Sequence, residues 1–164
     1  MKTHLILIRG PLGIGKTTIS KILAERENAR YYSIDKMLEK AKLDRVDVKQ
    51  GCIPLANFLA IQEDISPKIR EILNNQSVVI DGNFYHKEQI DFFEKLFESK
   101  LVVVTLTAKL ETCIKRDKKR DRPLGKKATE EVYKLVTRFD AGIIVDVENK
   151  SKERVVELIQ GELI

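Results

Sequence analysis

The sequence predicts an α/β fold built on a parallel β-sheet. Short apolar runs rich in β-branched residues alternate along the chain with segments of helical periodicity. Within these runs apolar and polar residues do not alternate, which is typical of strands that are buried on both faces of a parallel sheet. The repeated order of strand and helix indicates βαβ units. The predicted strands are Leu5–Ile8, Tyr31–Ile34, Val78–Ile80, Leu101–Leu106 and Ile143–Val147.

Helical patterns follow each of the predicted strands. The main ones are Lys16–Glu25, Pro54–Leu73, Lys87–Phe97, Leu110–Lys119, Thr129–Phe139 and Ser151–Ile159. Ser66-Pro67 is a place where the second of these helices can break or kink, because proline lacks an N–H group. Thr129 is expected to begin a helix after a loop, and Ser151 is a candidate N-cap.

Composition excludes several classes of protein. The chain has 164 residues, of which 43% are apolar and 34% charged, so we expect one folded domain over residues 1–164 rather than a disordered chain. Two cysteines and two histidines, too few for a disulfide framework or a zinc site, favour a reducing compartment. No stretch reaches the roughly 18 apolar residues of a membrane span. We therefore expect a cytoplasmic protein with no membrane partner.

Positive charge is concentrated in one segment. The formal net charge is +5, but residues 109–127 hold nine basic and three acidic residues and carry +6 by themselves. Such a cluster is typical of a surface that contacts phosphates, either on a nucleotide or on a nucleic acid. A solvated helix face would give the same pattern.

A phosphate-binding loop follows the first predicted strand and opens the first predicted helix. Residues Gly10–Thr17 fit the pattern G-x-x-x-x-G-K-[ST]. Glycines let backbone N–H groups turn towards a phosphate, and the helix N-terminus adds partial positive charge. Lys16 would bridge the β- and γ-phosphates, and the Thr17 hydroxyl would hold Mg²⁺. The residues expected to contact the nucleotide are Leu12, Gly13, Ile14, Gly15, Lys16, Thr17 and Thr18.

Two acidic residues close predicted strands at the edge of the sheet where ligands bind in such folds. Asp35 follows the second apolar run and could accept the proton of a hydroxyl group that attacks the γ-phosphate. It could instead, or in addition, cap a helix over Lys36–Ala41. Asp81 follows the third run and could bind Mg²⁺ through a water molecule, whereas Asp81-Gly82 is also a common turn.

The basic segment also predicts a lid. Arg116 and Arg120 are four residues apart and therefore share one helix face, and Arg122-Pro123-Leu124-Gly125 breaks that helix. A mobile segment over about residues 115–130 would bring guanidinium groups onto the phosphoryl group and exclude water.

With these motifs the chain resembles small P-loop kinases of the adenylate-kinase-like superfamily, and most closely the kinase domain of polynucleotide kinases. The resemblance implies a P-loop NTPase fold with three α/β/α layers and five parallel strands in the order 2-3-1-4-5. It implies ATP and Mg²⁺ as cofactors, with Thr17 and Asp81 at the metal. Asp35 would be the general base, and Lys16 and Arg120 would stabilise the transition state. Arg116 would lie near the base and phosphates, and Asn149 would flank the adenine.

The chain departs from its relatives where they bind acceptors. Polynucleotide kinases often have an arginine three positions after the catalytic aspartate, where this chain has Leu38. Adenylate kinases continue the Asp-Gly stretch with Pro-Arg, where this chain has Asn83-Phe84. By analogy, residues 36–75 should bind the acceptor. Phe84, Tyr85 and His86 could stack on it or simply pack, and residues 42–52 could be a mobile loop.

The sequence therefore predicts an ATP-dependent kinase that phosphorylates a hydroxyl group of a small metabolite, a nucleoside or a polynucleotide 5′ end. Nucleic acid is a partner that the local charge permits. The alternative is a P-loop ATPase or nucleotide-binding regulatory protein without an acceptor, for which Asp35 would be dispensable. A nucleic-acid-binding module that uses ATP only structurally is a third alternative, but no basic strand interleaved with aromatic residues supports it.

Overall fold

The structure is a computed structural model that describes residues 2–163; residues 1 and 164, the ends of the expected domain range, lie outside it. The strands are β1 (Leu5–Arg9), β2 (Arg30–Ser33), β3 (Val78–Gly82), β4 (Leu101–Thr107) and β5 (Ile143–Asp146). The helices are α1 (Lys16–Arg26), α2 (Ile34–Lys40), α3 (Leu55–Ile72), α4 (Lys87–Phe97), α5 (Leu110–Lys118), α6 (Lys126–Val136) and α7 (Lys152–Gly161). A short 3₁₀ helix, Glu98–Lys100, precedes β4.

The five strands form one parallel sheet in the order β2-β3-β1-β4-β5. Strand β1 lies at its centre, because Leu5 pairs with Val78 on one side and with Leu101 on the other. The predicted fold class and strand order are confirmed. All five strands point the same way, so their carboxyl ends, including the end of β1 that leads into the phosphate loop, lie along one edge.

Helices cover both faces of the sheet and make three layers. On one face Leu5 and Leu7 pack with apolar residues of α2, α3, α4 and α6, such as Phe58 and Phe93. On the other face Ile6 and Ile8 pack with residues of α1, α5 and α7. Strand side chains that are apolar on both faces explain why the strand runs in the sequence are continuous. No helix within residues 2–163 has the length and apolar character needed to cross a membrane.

Arg9, the last residue of β1, is fully buried although it is charged. Its guanidinium donates hydrogen bonds to the carbonyl oxygens of Val136 (2.8 Å) and Phe139 (3.2 Å) and to Thr105 Oγ1 (3.2 Å). It also lies 4.3 Å from the centre of the Phe139 ring. Burial lowers the pKa of Arg9 to about 10, against the opposing charge of Asp140. Arg9 thus ties the strand that leads into the phosphate loop to the carboxyl end of α6.

Some element boundaries differ from the predicted ones. Helix α6 begins at Lys126 rather than at Thr129, whose hydroxyl instead donates to the carbonyl oxygen of Gly125 inside the first turn. Helix α3 continues through Pro67 without a break, held against the core by its buried face. The Ser151 N-cap is confirmed, since its hydroxyl accepts a hydrogen bond from the Arg154 N–H at 3.1 Å.

Candidate active site

A cavity of about 580 Å³ lies at the carboxyl edge of the sheet. Of the twelve site residues predicted from the sequence, eleven line it: Leu12, Gly13, Ile14, Gly15, Lys16, Thr17, Thr18, Asp35, Asp81, Arg116 and Arg120. Asn149 does not; it adopts a left-handed conformation in the β5–α7 loop, and the next three residues, 150–152, line the cavity in its place.

The loop between β1 and α1 has the backbone geometry of an anion cradle. Gly13 and Gly15 have φ angles of 77° and 99°, values that strain residues with a Cβ atom. A Cβ atom on Gly13 would also collide with the carbonyl oxygen of Cys113 in α5. Helix α1 begins directly after Gly15 and has no acidic residue in its first turn, so its N-terminus can receive a phosphate.

Lys16 is almost fully buried at the floor of this cavity. Its Nζ donates a hydrogen bond to the carbonyl oxygen of Pro11 at 2.7 Å, so the side chain folds back along the loop. Burial lowers the pKa of Lys16, and the nearby carboxylates of Asp35 and Asp81 oppose that shift. The ammonium therefore sits between an anion-binding loop and two acids.

Asp35 lies on α2, not at the end of β2, and it is not an N-cap. Strand β2 ends at Ser33, whose hydroxyl caps α2 by accepting from the Lys36 N–H at 3.4 Å, so Asp35 falls in the first turn. Its carboxylate stays accessible to water, yet the crevice walls surround it. This partial desolvation raises the pKa of Asp35, and the charge of Lys16 opposes the rise. A carboxylate with a raised pKa beside a cation can accept a proton.

Asp81 is 2% exposed and lies within β3, one residue before the strand ends. The hydroxyl of Tyr31 donates a hydrogen bond to Asp81 Oδ2 at 2.7 Å. Burial and this hydrogen bond raise the pKa of Tyr31, so the phenol remains a donor. Thr17 and Asp81 supply hydroxyl and carboxylate oxygens to one cavity, and these are ligand types that suit Mg²⁺.

The two predicted arginines project from α5 and the segment after it. Arg116 donates a hydrogen bond to the Ile14 carbonyl oxygen at 3.1 Å and so contacts the phosphate loop directly. Arg120 lies just beyond α5, half exposed, with its guanidinium 3.6 Å from the carboxylate of Asp117. Lys119 also lines the cavity. Part of the local basic charge therefore lines the cavity, although Lys119 and Arg120 are also exposed to solvent.

Asp117 has a role that the sequence analysis missed, since there it counted only as an opposing charge. It is 1% exposed, and its two carboxylate oxygens accept hydrogen bonds from the backbone N–H groups of Leu124 (3.1 Å) and Gly125 (2.9 Å). These bonds hold the tip of the α5–α6 connection and explain why α6 begins at Lys126, before the predicted start at Thr129. The available signal was an acidic residue within a strongly basic segment, three residues before Arg120.

Three aromatic residues that follow β3 pack against the expected acceptor-binding region, whose residues 39–51 are mostly exposed. Phe84 and Tyr85 are 1% and 3% exposed, so the packing alternative holds for both. Tyr85 Oη accepts a hydrogen bond from the Ile53 N–H at 2.9 Å, and His86 Nε2 lies 2.8 Å from the Ile53 carbonyl oxygen. Residues 47–52 close on themselves, with a 2.9 Å bond from the Asp47 N–H to the Cys52 carbonyl oxygen.

The cavity as a whole favours a polyphosphate. Six basic side chains and two carboxylates line it; the basic ones are Lys16, Arg116, Lys119, Arg120, Lys150 and Lys152. Lys150 and Lys152 were not predicted; Lys150 lies in the β5–α7 loop, and Lys152 is the first residue of α7. Such an excess of positive charge around a glycine loop and a helix N-terminus suits a nucleoside triphosphate with Mg²⁺. The residues present therefore fit ATP and Mg²⁺.

Comparison with known proteins assigns the family. A family model described as an AAA domain matches residues 6–153. The chain belongs to this AAA domain family. A Pyrococcus abyssi protein named "Putative adenylate kinase" is 30% identical over 96% of this chain and 82% of its own length. A shikimate kinase from Sulfurihydrogenibium is 28% identical over 94% of both chains.

Solved structures agree on the fold. The crystal structure of a gluconokinase from Sinorhizobium meliloti superposes with a TM-score of 0.74 at 14% identity, covering 95% of this chain and 89% of the other. At this identity the likeness concerns the fold alone. Together the comparisons support the small P-loop kinase part of the expected resemblance. They give no support to the polynucleotide kinase part, which stays a prediction.

Proposed function

We propose that this protein is an ATP-dependent kinase that transfers the γ-phosphate of ATP to a hydroxyl group of a small molecule, with Asp35 as the general base. One observation carries the proposal. The cavity that contains the phosphate loop and Lys16 also contains the carboxylate of Asp35, at its mouth on α2. A carboxylate in the same cavity as the phosphate loop can take the proton of an acceptor hydroxyl that approaches the γ-phosphate.

Each of these residues would have a separate role in phosphoryl transfer. The acceptor hydroxyl gives its proton to Asp35 while its oxygen forms a bond to the γ-phosphorus, and the bond from that phosphorus to the bridging oxygen of ADP breaks. Lys16 and Arg120 offset the negative charge on the phosphoryl oxygens, and Arg116 holds the nucleotide and the loop. Mg²⁺ at Thr17 and Asp81 would neutralise charge on the β- and γ-phosphates.

Asp35 also favours a hydroxyl over a phosphate as the acceptor. The two relatives are named as kinases with different acceptors: one is a putative adenylate kinase and the other is a shikimate kinase. A phosphate acceptor is already largely ionised at neutral pH and gains little from a base, whereas an alcohol must lose a proton as it attacks. The acceptor is therefore inferred to be an alcohol.

Two features favour a small acceptor over a polynucleotide. Leu38 is fully buried, so α2 presents no arginine to a nucleic-acid phosphate at that position. Arg116, Lys119 and Arg120, which belong to the most basic segment of the chain, line the cavity, where bound ATP would engage them. We infer that residues 115–130 act as a lid over ATP and that residues 36–75 bind the acceptor, within a single domain.

The test is transfer of label from γ-labelled ATP with Mg²⁺. Separate reactions contain pooled small hydroxyl compounds, a 5′-hydroxyl oligonucleotide, AMP, or no acceptor. The wild type is run beside Asp35→Asn and a matched control, Glu39→Gln, which changes an exposed acid on the same helix. We expect label in the small-molecule fraction, a fall of about 10²- to 10⁴-fold in Asp35→Asn, and no change in Glu39→Gln.

Each other outcome has a defined meaning. Label on the oligonucleotide or on AMP would show that this molecule, and not a small alcohol, is the acceptor. Label released only as free phosphate, equally in wild type and Asp35→Asn, would refute the kinase and favour an ATPase or regulatory switch. ATP binding by Asp35→Asn, measured in parallel, verifies that the variant is folded.

A further inference from the structure

Tyr31 contacts a carboxylate of the cavity, although the proposed chemistry gives it no role. In the parallel pairing of β2 with β3, Tyr31 lies opposite Val79, and Ser33 lies opposite Asp81. Tyr31 and Asp81 thus occupy the same face of the sheet, one pleat apart. The phenol bridges that pleat and donates to Asp81 Oδ2 at 2.7 Å.

Asp81 has an incomplete set of partners for a buried acid. It is 2% exposed and lines the cavity. Among residues 2–163 the ion pairs within 4.0 Å do not include it. A neutral phenol satisfies one carboxylate oxygen but does not neutralise the charge. The Lys16 ammonium acts on Asp81 from beyond ion-pair distance while it donates to the carbonyl oxygen of Pro11, and a buried charge without a direct ion pair is costly. The arrangement leaves the acid available to a cation that enters with the nucleotide.

Tyr31 also lies beside α1, the helix that carries the second expected oxygen ligand, Thr17. The Tyr31 ring packs against the core on that face of the sheet and lies 5.9 Å from Lys21 Nζ in α1. Tyr31 therefore lies between α1 and β3, the two elements that carry the oxygen ligands of the proposed metal site. Groups that hydrogen-bond to metal ligands fix their orientation, and their loss typically weakens metal binding about 10- to 100-fold.

We propose that Tyr31 is a positioning residue for the divalent cation that accompanies the nucleotide, because it fixes the rotamer in which Asp81 presents an oxygen to the cavity. This inference rests on the proposed nucleotide and Mg²⁺ site, but not on the identity of the acceptor or on Asp35 as a base.

The neighbouring tyrosine provides a matched control. Tyr32 is in the same strand but on the opposite face of the sheet. There it packs against the core that contains Leu5 and Leu7, and its ring lies 6.0 Å from Lys68 Nζ. Removing the hydroxyl of either tyrosine changes the same strand by one oxygen atom. Only the change at Tyr31 removes a hydrogen bond to Asp81.

The experiment measures binding of a fluorescent ATP analogue to the full chain at increasing Mg²⁺ concentration, without any acceptor. In Tyr31→Phe we expect the Mg²⁺ concentration for half-maximal enhancement of binding to rise about 10- to 100-fold. In excess chelator, the affinity of Tyr31→Phe for the analogue should stay within about twofold of the wild-type value, since the variant loses no phosphate contact. Tyr32→Phe should match the wild type. In an Asp81→Asn background, Tyr31→Phe should add no further shift.

Three results would overturn the inference. These are an unchanged Mg²⁺ dependence in Tyr31→Phe, an equal shift in Tyr32→Phe, and a full additional shift in the Asp81→Asn background. A purely structural role for Tyr31 would lower the unfolding temperature without moving the Mg²⁺ midpoint. Should Tyr31→Phe fail to fold, Asp81→Glu moves the carboxylate relative to the phenol, and an unchanged midpoint there would overturn the inference equally.

The readout separates this inference from the proposed function. Binding needs no turnover, so the absence of phosphoryl transfer to any acceptor would leave the Mg²⁺ titration interpretable. Conversely, transfer that depends on Asp35 together with a Mg²⁺ midpoint indifferent to Tyr31 would retain the kinase and reject the positioning role.

Discussion

Replacing Asp117 by asparagine should loosen the connection between α5 and α6 without touching the phosphate loop. Asp117 is 1% exposed and accepts hydrogen bonds from the N–H groups of Leu124 and Gly125 at 3.1 and 2.9 Å. Asparagine has the same shape but only one acceptor oxygen. One of the two N–H groups would therefore lose its partner and face an amide donor.

The expected cost follows from these contacts. A hydrogen bond to a charged group contributes about 1.5–3 kcal/mol. The ion pair to Arg120, at 3.6 Å and with that arginine half exposed, contributes at most about 1 kcal/mol. Asp117→Asn should therefore destabilise the protein by about 2–4 kcal/mol, which for a chain of this size lowers the melting temperature by roughly 5–15 °C.

Urea unfolding gives the free energy, and hydrogen exchange shows where the loss occurs. The matched control is Asp121→Asn, an exposed acid in the same segment, which should change stability by less than about 0.5 kcal/mol. Exchange should accelerate most at Leu124 and Gly125, through local opening, and in β1 and β3 only by the factor that the lower free energy of unfolding predicts. A loss below about 0.5 kcal/mol, or unchanged exchange at Leu124 and Gly125, would refute the assigned role of Asp117.

Two further changes test charged side chains elsewhere. The crevice walls raise the pKa of Asp35 although its side chain is exposed, so its ionised form opposes folding: stability present at low pH is lost as the pH rises through the folded-state pKa. Because solvent screens an exposed carboxylate, Asp35→Asn should be more stable than wild type at pH 7 by less than about 1 kcal/mol, a gain that vanishes below about pH 3.9, although the variant cannot act as a base. Arg9→Met should lower the free energy of unfolding by about 2–4 kcal/mol, because the carbonyl oxygens of Val136 and Phe139 lose their donor.

Exposed residues of the same charge that do not line the cavity serve as controls for both changes. Glu39→Gln on α2 should show no such stabilisation at pH 7, and Arg30→Met in β2 should stay within about 0.5 kcal/mol of wild type. Urea unfolding as a function of pH decides the first case. Equal stability of Asp35→Asn and wild type at pH 7 would contradict a desolvated carboxylate. A near-neutral Arg9→Met would show that water or rearranged donors replace the guanidinium.

The fold could be predicted because its determinants are local in the sequence. Strands buried on both faces have to be continuously apolar, so runs such as Leu5–Ile8 identify the parallel sheet directly. The phosphate loop could be predicted for a similar reason, since its glycines and Lys16 have to follow one another at fixed spacing. The strand order was predicted from the resemblance, because no single segment of the sequence specifies which strands are neighbours in the sheet.

Predictions at element ends were weaker because they depended on contacts between distant residues. Thr129 looks like a helix start, but the carboxylate of Asp117 holds Gly125 and allows α6 to begin at Lys126. Asp35 follows an apolar run, but Ser33 caps the helix first and places Asp35 in its first turn. In both cases a nearby cap competed with the residue that the local pattern favoured.

Arg9, Tyr31 and Asp117 were missed for one physical reason. Each is a polar side chain that supports another part of the protein through hydrogen bonds: Arg9 anchors the end of α6, Tyr31 holds Asp81, and Asp117 holds the α5–α6 tip. Residues that contact a ligand stand at spacings set by the ligand and its loop, so a motif can reveal them. Supporting residues lie wherever the tertiary fold brings a donor to an acceptor. Arg9, for example, bonds to the carbonyl oxygen of Val136, which is 127 residues away along the chain, and no local pattern records such a pairing.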